Sequence, residues 1–286
     1  MDDPILLNID GFTDIGNRRQ NNEDSWWAGR PGGDFHTMDP GPEPLKLDAM
    51  EGPVLLIVSD GVGGASAGEV ASHMAVSMVS EELGKTSADL KEATAARPVL
   101  VAALRVAHEA ILLKANEPGF DGMGATLSLL CVTADGAACW AQAGDSRIYV
   151  FRAGRLRQIS RDHSPVGRLK QQGLITEAEA RKHPSRNQID LSMGDRLNAF
   201  EPETGVEEVQ AGDIFLLCSD GLSDGLWDHE IELALKGLNR AEDLRATVRG
   251  LVESAKKASG RDNITAVAAY AGTERKSAGG WRRLFH

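Results

Sequence analysis

Two continuous apolar runs in this chain, Val54-Leu55-Leu56-Ile57-Val58 and Ile214-Phe215-Leu216-Leu217-Cys218, lead straight into the same tripeptide, Ser59-Asp60-Gly61 and Ser219-Asp220-Gly221. An apolar run without alternation is consistent with a strand buried on both faces. Such strands restrict the fold to sheets covered by further layers. They also leave a carboxylate at each strand end, where side chains from different strands can converge on one sheet edge.

The rest of the chain supplies the layers. Ile5 to Ile15 is rich in β-formers, Asp24 to Ala28 resembles a second strand, and Arg30 to Pro53 reads as a Gly-, Pro- and Asp-rich surface loop. Ala67 to Leu83 and Pro98 to Leu113 each carry one apolar stripe at helical spacing, with Pro98 in a first turn. From Ala125 to Ile159 the pattern is that of hairpins, with turn signals at Asp135-Gly136 and Ala153-Gly154. A polar stretch from His163 to Arg196 has helical character near Glu177 to Lys182. Glu230 to Lys257 reads as helical and Ile264 to Tyr270 as a closing strand. Strands, helices, many strands, helices and a strand, in that order, predict an α+β domain of antiparallel sheets covered by helices rather than an alternating βαβ fold.

Composition narrows the function. The 286 residues are 42% hydrophobic and 26% charged, an ordinary globular balance, and suffice for one large domain. No apolar run approaches the roughly 20 residues that span a bilayer, and the acidic start Met1-Asp2-Asp3-Pro4 does not read as a secretory signal. Cys131, Cys139 and Cys218 lie in apolar runs without CxxC spacing, as expected of reduced, inert thiols in a cytoplasmic protein. A formal net charge of −11 disfavours a nucleic-acid partner. It does not exclude a phosphorylated substrate, because a bound divalent cation reverses the field of a small acidic site.

Four more acidic positions join Asp60 and Asp220: the pair in Asn22-Glu23-Asp24, Asp145 in Gly144-Asp145-Ser146-Arg147, and Asp262 in Gly260-Arg261-Asp262-Asn263. Oxygen-only ligation suits Mg²⁺ or Mn²⁺, and the lack of neighbouring Cys or His argues against structural zinc. Taken singly, each motif reads more readily as a turn. Their joint occurrence beside apolar strands favours a metal centre. The run Gly61-Val62-Gly63-Gly64 fits neither a P-loop nor a dinucleotide fingerprint.

In the order they appear, Asp14-Ile15-Gly16 with Arg19 and Asn22-Glu23-Asp24, Asp60-Gly61-Val62-Gly63-Gly64, Gly124-Ala125-Thr126, Gly144-Asp145-Ser146-Arg147, Ser219-Asp220-Gly221-Leu222 and Gly260-Arg261-Asp262-Asn263-Ile264-Thr265 resemble the type-2C metal-dependent protein phosphatases, over Phe12 to about Tyr270. The resemblance implies a four-layer α-β-β-α sandwich of two antiparallel sheets, in a single domain over 1–272 with a flap at about 165–188 and a basic tail over 273–286. It implies hydrolysis of phosphoserine and phosphothreonine by metal-activated water, with two Mn²⁺ or Mg²⁺ ions and a weaker third. Asp60 then bridges two ions and the Gly61 carbonyl, Asp220 and Asp262 complete their ligation. Glu23 and Asp24 ligate metal or hold its waters, and Asp145 with Asp220 forms the third site. Arg19 grips the phosphate, and Asn263 supports the ligands from behind.

One departure is Val62, which stands where some members carry a histidine thought to protonate the leaving group. Val62 cannot donate a proton, and a water on the third ion is the expected substitute. His163 is either another acid or a polar contact that positions the flap. The implied partners are phosphorylated proteins, a Ser/Thr kinase and its substrates, with secretion-system control as one setting. The implied protein is a cytoplasmic monomer. Two rivals stay open from sequence: a non-catalytic phosphoprotein-binding regulator and a hydrolase of small phosphate esters.

Overall fold

A computed structural model describes residues 5–33, 44–63, 67–196, 199–238 and 240–273. The expected basic tail, beyond residue 273, lies outside the described residues, as do Met1–Pro4 and Gly64.

The strands are β1 (Ile5–Asp14), β2 (Asp24–Gly29), β3 (Leu45–Asp48), β4 (Val54–Val62), β5 (Gly124–Ala125), β6 (Leu127–Val132), β7 (Ala137–Ala143), β8 (Arg147–Arg152), β9 (Arg155–Gln158), β10 (Glu203–Glu208), β11 (Ile214–Cys218) and β12 (Ile264–Thr273). The helices are α1 (Ala67–Lys85), α2 (Ala93–Lys114), α3 (Pro165–Gln171), α4 (Glu177–Ala180), α5 (Asp220–Gly225), α6 (Asp228–Lys236) and α7 (Leu244–Ala258). One sheet runs β3-β1-β12-β11-β8-β9 and the other β10-β7-β6-β4-β2, with β5 paired to the end of β4. The pairings are antiparallel.

The apolar runs are continuous because each of their strands faces two cores. In β4, Val54, Leu56 and Val58 point between the sheets, whereas Leu55 and Ile57 point at α1 and α2. In β11, Phe215 and Leu217 point between the sheets, whereas Ile214, Leu216 and Cys218 meet the side covered by α5, α6 and α7. Trp26 and Trp27 divide β2 in the same way. Each fully buried large aliphatic side chain contributes about 1.5–3 kcal/mol. The result is helices, sheet, sheet, helices: the α+β four-layer sandwich that the resemblance implied. The three cysteines are free and buried.

Three boundaries differ from the sequence reading. Helix α2 starts at Ala93, not Pro98, so the proline lies inside it. The start is fixed from a distance, because the Ala93 amide donates to Asp135 Oδ2 on the β6–β7 turn (3.1 Å), and periodicity within the helix cannot reveal that cap. The stretch Arg30 to Pro53 is more than a loop: β3 lies within it and pairs with β1 from Leu6↔Asp48 to Ile9↔Leu45. Four residues among turn formers are too few to show a period. Finally, Glu230 to Lys257 is two helices, α6 ending ahead of Gly237 and α7 starting after a 3₁₀ turn at Ala241–Asp243. The break lets both helices lie on the same sheet.

Candidate metal centre

The carboxylates gather where the two sheets meet at one end of the sandwich. Asp24 on β2 lies directly across from Asp60 on β4. Strand β4 does not stop at its Ser-Asp-Gly. It continues to Val62, pairing Gly61 with Ala125 and Val62 with Gly124. Thr126 clamps this end: its Oγ1 accepts from the Asp60 amide (2.9 Å), its own amide donates to the Asp60 carbonyl (2.8 Å), and its carbonyl accepts from Ser59 Oγ (2.6 Å). The Gly61 amide donates to the Glu23 carbonyl (3.1 Å), and a Cβ at Gly61 would stand 2.1 Å from the Gly68 carbonyl oxygen. Only glycine lets the backbone come so near.

The second Ser-Asp-Gly turns differently. Asp220 is the first residue of α5. A Cβ at Gly221 would stand 1.9 Å from the Asn263 carbonyl oxygen, so α5 is pressed against the turn that carries Asp262. Ser219 Oγ and Thr265 Oγ1 both donate to Asp24 Oδ2 (2.7 and 2.6 Å), which binds the two sheets at the centre. Asp145 sits in the turn between β7 and β8, where Ser146 Oγ and Thr126 Oγ1 are 2.7 Å apart.

These groups suppress one another's ionisation. Burial holds Asp60 well above the usual carboxylate range, and the charges of Asp24, Asp220, Asp145 and Asp262 add to it. Burial does the same to Asp220, reinforced by Asp145, Asp224, Asp262 and Asp24. Burial lifts Asp24 to about 6 against the two hydroxyl donors, and lifts Asp145 to about 7, helped by Asp162. Buried carboxylates in mutual repulsion need a counter-charge. Asp24 Oδ1 and Asp220 Oδ1 are buried without a hydrogen-bond partner. Unpaired carboxylate oxygens and a donor set made only of oxygen fit a hard divalent cation. Among the described residues, no three Asp, Glu, His or Cys side chains already close on a point as a complete direct cage. That too is compatible with Mg²⁺ or Mn²⁺, since Mg²⁺ in particular keeps several waters.

Arg19 lies in this cluster, but its guanidinium is engaged with Asp262, Nη2 to Oδ2 at 2.6 Å. Asn263 lies behind the carboxylates. Its Oδ1 accepts from the Glu23 amide (2.7 Å), and its Nδ2 donates to the carbonyls of Ile15 and Asn21 (3.0 Å each). Val62 is exposed at the rim. His163 is held in place: its Nδ1 accepts from the Gly144 amide (3.2 Å), its amide donates to the Gly144 carbonyl (2.9 Å), and its carbonyl accepts from Asp190 (2.7 Å). Burial lowers its pKa. These bonds tie His163 to the turn that carries Asp145.

Sequence reasoning gave no role to Thr126, Ser219 and Thr265, although all three lay inside the quoted motifs. A hydroxyl beside each acidic motif was the available signal. It also passed over the pair Arg147–Asp162 (Nη2 to Oδ2, 2.7 Å); burial pushes the Asp162 carboxyl up, but Arg147, Gln158 and Lys170 together leave it below the usual carboxylate range.

The protein phosphatase 2C family model matches residues 46–267. A putative protein phosphatase 2C-type protein of Streptococcus pyogenes is 32% identical over 253 residues, 88% of this chain and 93% of its own length. The serine/threonine protein phosphatase PstP of Mycobacterium tuberculosis is 34% identical over 267 residues, 93% of this chain but 45% of its own length. The PstP catalytic domain, solved with two manganese ions, superposes with a TM-score of 0.73 at 33% identity, covering 94% of this chain and 99% of that one. The S. agalactiae serine/threonine phosphatase superposes with a TM-score of 0.76 at 30% identity, over 92% and 99%. With the acidic cluster in place and these matches running through it, the chain belongs to the protein phosphatase 2C family of metal-dependent serine/threonine phosphatases.

Proposed function

We propose that the protein hydrolyses phosphoserine and phosphothreonine esters of proteins at a centre holding two Mn²⁺ or Mg²⁺ ions, with a weaker third. Asp60 and the Gly61 carbonyl, Asp220 and Asp262 hold the pair, Glu23 and Asp24 ligate metal or order its waters, and Asp145 with Asp220 serves the third. Bound there, the ions supply an acidified water as nucleophile and offset charge on the phosphoryl oxygens. Arg19 leaves Asp262 to grip the phosphate, its forked guanidinium matching two oxygens. Asn263 keeps Glu23 in place through its backbone. The segment 165–188 serves as a flap over the centre, within one phosphatase domain. The substrates are phosphorylated proteins, and a Ser/Thr kinase that makes them is the opposing partner. We place the enzyme in the cytoplasm as a monomer. Among the described residues, no helix is long and apolar enough to cross a membrane.

The observation that carries this reading is the buried carboxylate cluster, drawn from separate elements, with two oxygens lacking any partner. A phosphothreonine-peptide assay with and without Mn²⁺, run beside small phosphometabolites, tests it. The expected result is metal-dependent release of phosphate from the peptide in preference to the metabolites. Equal turnover without metal, or preference for the metabolites, would overturn it.

A further inference from the structure

A groove of about 580 Å³ lies between the start of α2 and the outer face of β10, the last strand of its sheet. Ala93, Pro98 and Val101 line it from the helix and Val206 from the strand, and Arg97 crosses it to donate to Thr204 Oγ1 (3.0 Å). Pro98 and Val206 are exposed and Val101 is half-buried. Apolar side chains gathered at a sheet margin mark a surface that another segment covers.

The groove opens at the end of the sandwich remote from the carboxylates, and the described chain stops at that same end. Thr273 lies across from Ile5. Ile5 Cδ1 is 3.5 Å from where a Cβ at Gly136 would stand, and the neighbouring Asp135 caps Ala93 at the mouth of the groove. From Thr273 to Trp281 is eight residues, a reach of up to about 26–29 Å. That is enough to pass the second sheet, stacked about 10 Å from the first, and enter the groove.

The chemistry of the segment beyond Thr273 matches this seat. Trp281-Arg282-Arg283-Leu284-Phe285 offers three large apolar side chains and two cations. Residues 274–286 hold Arg275, Lys276, Arg282 and Arg283 against Glu274 alone, in a chain of net charge −11. At the near end of the groove Glu92, Asp135 and Glu208 are exposed, against Lys91 and Arg97. Arg97 also offers a guanidinium to the face of an indole.

We propose that residues 281–285 dock in cis in the groove between α2 and β10, with Trp281 against Pro98, Val101 and Val206, and Arg282 and Arg283 toward Glu92 and Glu208. The segment covers the margin of the second sheet far from the metal centre. A short tether raises its local concentration to about the millimolar range, so a contact too weak to hold a free peptide still holds this one.

Disulfide trapping in the full chain tests the docking. Cys131, Cys139 and Cys218 are buried, so added surface thiols react first with diamide. Gly280→Cys is paired with Thr94→Cys in the groove or, as control, with Met50→Cys, exposed just beyond the β3 residue that lies across from Leu6. In dilute protein the groove pair is expected to close about tenfold faster than the control pair, as an ordered contact raises effective concentration over a mere tether. Adding Trp281→Ala or Val206→Glu to the groove pair should each remove most of that lead. Equal closure of the two pairs, or a lead undiminished by either substitution, would overturn the docking. So would equal closure with the full chain bound to phosphatidylglycerol vesicles, which would assign the basic segment to an acidic membrane surface instead.

Discussion

The two Ser-Asp-Gly tripeptides follow similarly apolar strands and yet take different backbones. After Ser59 the chain stays extended to Val62, because β5 is available to pair with it. After Ser219 the chain turns at once into α5, packed against the Asp262 turn. What the two share is not conformation. In both, the serine is fully buried and bonded away from water, and the glycine has no room for a Cβ. In both, the aspartate carries a raised pKa from burial and from its fellow carboxylates. The lesson is that the tripeptide encodes a close approach, and the pairing available next door decides how the chain leaves it.

The sharpest way to break the likeness is to remove one charge from each motif. Asp60→Asn and Asp220→Asn should each lower Mn²⁺-dependent kcat on a phosphothreonine peptide by about a thousandfold. Asp145→Ala should cost only about tenfold if the third site merely assists. A thousandfold loss there would make the third site equal to the pair, and no loss would remove the proton-donor role assigned to its water in place of Val62.

The next comparison concerns packing. Gly61→Ala and Gly221→Ala should each cost about 3 kcal/mol in urea unfolding, since backbone oxygens stand 2.1 and 1.9 Å from the added Cβ. Unequal costs would show which of the two elements can shift. A loss below about 0.5 kcal/mol at either would contradict the close approach.

The smallest effect is on pH. Asp24 and Asp145 have folded pKa values raised to about 6 and about 7, so the folded chain holds protons that the unfolded chain releases. Their stabilising contribution is complete below the ordinary aspartate range and is lost as pH rises through 6 to 7. The metal-free protein should therefore melt about 5 °C lower at pH 8 than at pH 5, and saturating Mn²⁺ should remove most of that fall. A melting temperature that rises with pH in the absence of metal would show that the carboxylates are not in mutual repulsion.

Much of this was legible in the sequence. Unbroken apolar runs in β4 and β11 announced strands with a core on each face, and the turn signals of β6 to β9 announced antiparallel pairing. The acidic positions were legible as a set, because each lay beside an apolar strand. What escaped the sequence was long-range. The Asp135 cap that starts α2 comes from another hairpin, and β3 exists because β1 offers it an edge. The hydroxyls of Ser219 and Thr265 acquire their role only when Asp24 arrives from the opposite sheet. The engagement of Arg19 with Asp262 spans almost the whole chain.

The segment 165–188 is fastened at both shores. Ser164 caps α3 by accepting from the Gly167 amide, and Arg181 ties the far side to α5 through the carbonyls of Asp224 and Leu226. Between them, Gly173 is exposed, takes a positive φ of 70°, and has nothing within 4 Å of where a Cβ would stand. At that bend extra residues could be spliced in without disturbing either mooring.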